Sequence, residues 1–82
     1  SRENNIRAMR NYHVHHMVPR LLEYMQNCGD EQTQIAMLEA FGWFRLSYRA
    51  PEIAAVAEAM SRDELYPASV RKEALKTYNR LK

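Results

Sequence analysis

The sequence predicts an all-α protein built as a stack of about five paired helices, and three observations carry that expectation. First, the stretch Asp30 to Tyr48 holds the run Ile35-Ala36-Met37-Leu38-Glu39-Ala40-Phe41-Gly42-Trp43-Phe44. At a helical period it is apolar nearly all round, broken clearly only by Gln34, Glu39 and Arg45, so it needs covering on several sides. Second, Pro19, Pro51 and Pro67 each suit the first turn of a helix, where a missing N–H costs nothing, and Gly29-Asp30 reads as a helix stop followed at once by a helix start. Third, the last fifteen or so residues are cleanly one-sided, as the terminal layer of a stack must be to stay soluble.

Taken in order, Ser1 can cap a first short helix whose apolar positions Ile6, Ala8, Met9 and Tyr12 share one broad face. The apolar period lapses around residues 13–16, which places a break there, with Pro19 opening a second helix from about Met17 to Asn27. Leu21, Leu22, Met25 and Cys28 form its apolar side. Asp30 caps the central helix, expected to continue to about Leu46 and to be sandwiched between its neighbours, which makes Trp43 a core residue. Pro51 opens a fourth helix to about Met60, rich in alanine around Ile53, Val56 and Met60, so that neighbours can approach closely. Pro67 opens the fifth, with Val70, Ala74, Leu75, Tyr78 and Leu81 on one side and Lys72, Glu73, Lys76, Asn79 and Arg80 on the other.

At 82 residues the chain is a single domain near the size where one core only just suffices, which argues against a large buried active site. Its net charge of +2 does not imply nucleic acid, but the charge is unevenly placed. Residues 1–29 carry four Arg against two Glu, residues 30–65 three Arg against seven acids, and residues 66–82 five Lys or Arg against one Glu. Opposite signs on adjoining helices help the layers dock. The single Cys28 excludes an internal disulfide framework, and no apolar run approaches the ~20 residues of a membrane span.

Alternating short and longer breaks suggest repeated helix pairs. Aligning Pro19 with Pro51, an offset of 32 residues, places Leu21 with Ile53, Met25 with Ala57 and Cys28 with Met60. In the alternate helices, Ala8-Met9-Arg10-Asn11-Tyr12, Met37-Leu38-Glu39-Ala40-Phe41 and Ala74-Leu75-Lys76-Thr77-Tyr78 share one pattern of small or apolar, apolar, polar, small or polar, and aromatic residues. Here the chain resembles the HEAT-repeat family. Pro67-Ala68-Ser69-Val70-Arg71-Lys72-Glu73-Ala74-Leu75 looks like the first helix of such a repeat, with a Val-Arg pair ahead of an Ala-Leu step. Asp30 to Gly42 is similar to the same helix one repeat earlier, although Thr33-Gln34 stands where the family prefers Val-Arg, and Asn4-Asn5 departs further. The resemblance implies a short right-handed α-α superhelix of HEAT/armadillo type: helix pairs at about 2–28 and 30–61 and a capping helix at about 67–82. It implies no catalytic activity and no cofactor. Two and a half repeats fall short of the ~3 a solenoid normally needs, so a piece of a longer chain is expected.

Residues with ligand chemistry are few. His13, His15 and His16 suit a transition metal, but Glu3 and Glu23 are distant in sequence and no metal site is expected. Ser1, Ser47, Ser61 and Ser69 lack a nucleophile-elbow context, and the acidic pairs Asp30-Glu31 and Asp63-Glu64 sit where helix starts and connectors place acids. Trp43, Phe44 and Tyr48, with Phe41 behind them and Arg45 and Arg49 interleaved, form the aromatic candidate for partner binding if they lie on a rim rather than in the core. Arg71, Lys72, Lys76, Arg80 and Lys82 could hold phosphates but follow ordinary helical spacing. The expected function is therefore non-enzymatic protein–protein interaction. The resemblance implies that the second helix of each pair lines a shallow concave face, where Arg20, Glu23, Asn27, Glu52, Ala55, Glu58 and Arg62 would meet the partner. The alternatives are an accessory or C-terminal helical domain of a larger enzyme and, less favoured, a nucleic-acid-binding HEAT-like module.

Overall fold

The computed structural model describes the backbone of residues 2–82 and the side chains of residues 13–82. Four helices follow one another: α1 (Arg2–Asn27), α2 (Glu31–Phe41), α3 (Ala50–Arg62) and α4 (Ala68–Leu81). The described residues contain no strand. The expected cap at Ser1 and the apolar face of Ile6, Ala8, Met9 and Tyr12 lie outside the described residues.

The first difference from expectation is the number of helices. No break falls at residues 13–16; α1 runs through the histidines and keeps Pro19 inside it. An interior proline removes the bond to the carbonyl four residues back, here that of His15, and costs ~3 kcal/mol. That cost is offset because the helix is held on both sides of the proline, upstream at His15 by Ser47 and Phe44 and downstream in the core. Val18, Leu22 and Met25 are all buried in the common core, and each such side chain contributes about 1.5–3 kcal/mol. Pro19 itself stays on the exposed side.

The second difference is where the central helix ends. It stops at Phe41, not at Leu46. The Gly42 amide reaches both the Leu38 and Glu39 carbonyls, each at 3.1 Å. From there the chain advances in tight turns: the Trp43 amide donates to Ala40 at 3.2 Å, Phe44 to Phe41 at 3.0 Å, Ser47 to Phe44 at 2.9 Å and Ala50 to Ser47 at 3.1 Å. Each of these bonds spans three residues rather than four, so the segment is wound more tightly than an α-helix. Side chains that a helical period would bury are thereby turned outward.

The other boundaries follow the sequence. Gly29 adopts a left-handed conformation (φ 67°), the usual helix stop. Asp30 precedes α2, although its carboxylate accepts the Thr33 hydroxyl instead of a backbone amide. Pro51 sits in the first turn of α3, and Pro67 immediately precedes α4. Both are positions that need no amide donor.

One core joins all four helices: Val18, Leu22 and Met25 from α1, Leu38 and Phe41 from α2, Ile53, Ala57 and Met60 from α3, and Val70 and Ala74 from α4. The α3–α4 hairpin is the most extensively packed pair, α4 also packs on α2, and α1 lies against both α2 and α3. Fully buried Ala57 and Ala74 leave room for this close approach. Leu75, expected in the core, is half exposed; Thr77 is buried instead and donates to the Leu38 carbonyl at 2.6 Å.

The C-terminal end of α1 is closed by groups from elsewhere in the chain. Its last carbonyls have no partners within the helix. The Tyr24 carbonyl takes the Cys28 amide at 2.9 Å, Met25 takes the side-chain amide of Gln34 at 3.1 Å, and Gln26 takes the Tyr66 hydroxyl at 3.1 Å. Gln34, which would interrupt an apolar surface, is thus buried with a partner. Burial also pushes the Tyr66 phenol pKa up.

Candidate functional site

Because of the tight turns, the Gly42–Arg49 segment forms a ledge between α2 and α3. Phe41 is in the core and Phe44 packs against it edge to face, with ring centroids 5.6 Å apart. Outward from them Trp43 is 76% exposed, Leu46 98% and Tyr48 62%. The expectation that Trp43 and Leu46 belong to a covered helix is corrected here. Their backbone is no longer α-helical, and the outward rotation takes both off the core.

The ledge is pinned to α1 through His15. The ring Nδ1 lies 2.8 Å from Ser47 Oγ, and the ring packs edgewise on Phe44 and Tyr48 at centroid distances of 5.5 and 5.9 Å. The Arg49 amide donates to the same Ser47 oxygen at 3.0 Å. The Ser47 hydroxyl thus bridges the Arg49 amide and the His15 ring, joining the turn to α1. Although serine and histidine are adjacent, this arrangement is a turn-and-anchor, with the serine oxygen occupied by a backbone amide. His15 thereby serves the ledge. Among the described residues, no group of three or more His, Cys, Asp or Glu gathers as a metal site would require.

Two depressions flank Trp43. One, of about 440 Å³, is lined by Val14, His15, Trp43, Phe44, Leu46 and Ser47. The other, of about 480 Å³, is lined by Gly42, Trp43, Arg45, Asn79, Arg80 and Lys82. In the second, the Arg80 guanidinium lies over the Trp43 ring at 5.4 Å, and Lys82 lies over Tyr78 at 5.6 Å. Gly42 makes room for this. A Cβ there would meet Arg80 Cδ at 3.2 Å and a guanidinium nitrogen at 3.3 Å.

The residues expected to contact a partner are distributed as follows. Arg20, Glu23 and Asn27 line one shallow depression on α1 with Tyr24 and Cys28. Of the four on α3, Ala55 is exposed, Glu52 is held by Arg49 at 2.6 Å, and Glu58 is half-buried beside Arg62 at 3.5 Å. Glu58 also accepts the Tyr78 hydroxyl, which holds the phenol pKa above its ordinary value. The hydrogen bonds to Glu52 and Tyr48 likewise raise the Arg49 pKa, and its buried Nε has no partner among the described residues. Arg71 is committed to the Tyr66 carbonyl at 3.1 Å, while Lys72 and Lys76 are exposed.

The sequence points to Trp43, Phe44 and Tyr48, with Phe41, Arg45 and Arg49, as an aromatic candidate and puts Arg80 in a separate phosphate-holding candidate, but it does not single out Val14, Gly42, Leu46 or Ser47 for this site. A glycine inside an apolar helical run is itself a break signal, and at Gly42 it was the one available clue. No helix among the described residues is long and apolar enough to cross a membrane. Compared with known proteins, the chain matches no protein-family model, no curated protein and no solved structure.

Proposed function

We propose that the chain is a non-catalytic helical module that binds protein partners, its helices stacked in the manner of HEAT repeats. The observation that carries the reading is the ledge. Large apolar side chains are normally scattered singly over a surface, whereas Trp43, Leu46 and Tyr48 stand out together on a segment anchored from beneath by Phe41, Phe44 and the His15–Ser47 bond. Exposed aromatic residues interleaved with arginine have the composition of binding hot spots. Helix α4 lies on both α3 and α2, and α1 on both α2 and α3; α2 and α3, expected as one pair over 30–61, are not closely packed, and α3 pairs with α4 instead.

The faces carrying Arg20, Glu23 and Asn27 on α1 and Glu52, Ala55, Glu58 and Arg62 on α3 remain in this reading as secondary contacts. Glu52→Lys is the cleaner probe of the α3 face, because Glu58 is engaged in holding Tyr78. The test of the whole reading is selection of an unbiased displayed peptide library on the folded chain against the heat-unfolded chain. Ligands specific to the folded chain, weakened by Trp43→Ala or Leu46→Ser without loss of thermal stability, support it. A selection that returns no ligand distinguishing the folded from the unfolded chain refutes it.

A further inference from the structure

The two depressions beside Trp43 differ in chemistry in a way that specifies a ligand. The Val14–Phe44–Leu46 side offers apolar surface around a half-buried imidazole. The Arg45–Arg80–Lys82 side gathers three exposed cations, and no carboxylate side chain of the described residues lines either depression. We propose, building on the interaction reading above, that this ledge is the seat for an acidic peptide segment, which places one apolar side chain against Leu46 and Phe44 and a carboxylate against Arg80.

Arg80 is prepared for that role. A guanidinium lying over an indole keeps its in-plane N–H donors free, and those donors match a carboxylate edge in bidentate fashion. Gly42 lets Arg80 lie close, since a Cβ at that position would stand 3.2 Å from Arg80 Cδ and from the Glu39 carbonyl and 3.3 Å from a guanidinium nitrogen, so the arginine would have to give by a few tenths of an ångström. Gly42 does not need its conformational freedom for the turn, as its φ of −61° and ψ of −17° are open to any residue. Lys82, over Tyr78, and exposed Arg45 extend the positive charge on the same side of Trp43.

A peptide fits this surface better than a nucleic-acid strand does. Among the described residues, the half of the ledge lined by Val14, Phe44 and Leu46 has no lysine or arginine, and the cations beside Trp43 line the other depression.

Trp43 is the only tryptophan in the chain and lies between the two depressions, so its emission reports occupancy directly. The experiment titrates the folded chain with tryptophan-free dodecapeptides carrying several Asp or Glu around one Leu or Phe. The comparison ligands are the same peptides with Asn and Gln for the acids, the same peptides with Ser for the apolar residue, and a single-stranded oligothymidine. Saturable binding of the acidic peptide is expected, weakened by salt and by either replacement. Arg80→Ala should weaken it about tenfold or more, as loss of one bidentate charge-assisted pair does, with Arg80→Lys intermediate. Gly42→Ala should weaken it less than Arg80→Ala does, because Arg80 has only a few tenths of an ångström to give. Unaltered thermal unfolding of Arg80→Ala confirms that the fold is intact. Equal binding of acid and amide peptides, undiminished binding to Arg80→Ala, or tighter binding of oligothymidine overturns the proposal. If library-selected ligands ignore Arg45, Arg80 and Lys82, the acidic-peptide seat falls and the interaction reading stands; if no folded-chain ligand is selected and the acidic peptides do not bind, both fall.

Discussion

Replacing Gln34 tests how α1 is held to the rest of the molecule. Gln34 is 3% exposed, and its side-chain amide donates at 3.1 Å to the carbonyl of fully buried Met25 in the last turn of α1. Gln34→Leu keeps nearly the same volume but removes the donor, leaving that carbonyl with only the weak thiol of Cys28 at 3.5 Å. A buried carbonyl deprived of its partner costs about 1–3 kcal/mol, part of which is offset because leucine needs no partners of its own. The expected net loss is about 1–2 kcal/mol, which for a domain of this size lowers Tm by roughly 4–16 °C. Gln34→Glu should behave differently, because an ionised carboxylate would face a carbonyl in a buried site. Burial raises the folded-state pKa of such a group above the ~4.3 of the unfolded chain. Its neutral form can donate to Met25, so the variant's relative stability is fully present below the unfolded pKa and is lost as pH rises through the folded one. Thermal melts of both variants and the parent between about pH 4 and 8 measure this, with the Glu variant's deficit growing with pH. A Leu variant as stable as the parent, or a Glu variant whose deficit does not change with pH, would refute the role assigned to Gln34.

Three further outcomes are expected. Trp43 emission should resemble that of a solvated indole and be quenched readily by acrylamide; a blue-shifted, quencher-resistant spectrum would contradict its 76% exposure. Ser47→Ala should cost about 1 kcal/mol and speed hydrogen exchange of the Arg49 amide, which loses its acceptor, while leaving exchange in α4 unchanged. In Glu58→Gln the Tyr78 phenol should titrate at lower pH than in the parent, because the carboxylate that stabilises its neutral form is gone; ultraviolet difference titration reads this, and an unchanged titration curve would show that Glu58 is not the cause.

The second half of the molecule was the more legible in the sequence, for a physical reason. Pro51 and Pro67 stand at helix starts, and apart from the exchange of Leu75 for Thr77 the α3 and α4 side chains follow a helical period, so local rules and tertiary packing largely agree there. Around Pro19 they conflict. Positional preference places a proline at a helix start, whereas here His15 before it and Val18, Leu22 and Met25 around and after it are all held by distant elements. The end of α2 was obscured because three-residue turns continue the look of a helix while changing its period, which is why Trp43 and Leu46 were assigned to the core. Gln34 and Thr77 were hidden for another reason. A polar side chain can be buried when a carbonyl waits for it, and the carbonyls in question belong to Met25 and Leu38, on other helices. The aromatic half of the ledge was visible as a cluster in sequence. Its cationic half, Arg80 and Lys82, comes from the other end of the chain and is joined to it only by folding.

The bonds that close the end of α1 bear on the order in which the molecule assembles. The α3–α4 hairpin is built from elements adjacent in sequence, so little loop entropy opposes its early formation. By contrast, Tyr66 reaches Gln26 across 40 positions, and Ser47 reaches His15 across 32. The Gln34–Met25 bond, nine positions apart, is local, whereas the bonds from Tyr66 and Ser47 to α1 need distant segments brought together. Since His15 rides on α1, the ledge is complete only when α1 is docked against it. A ligand gripping the completed ledge would thus act as a latch on the docking of α1, slowing its release and protecting amides far from the bound surface.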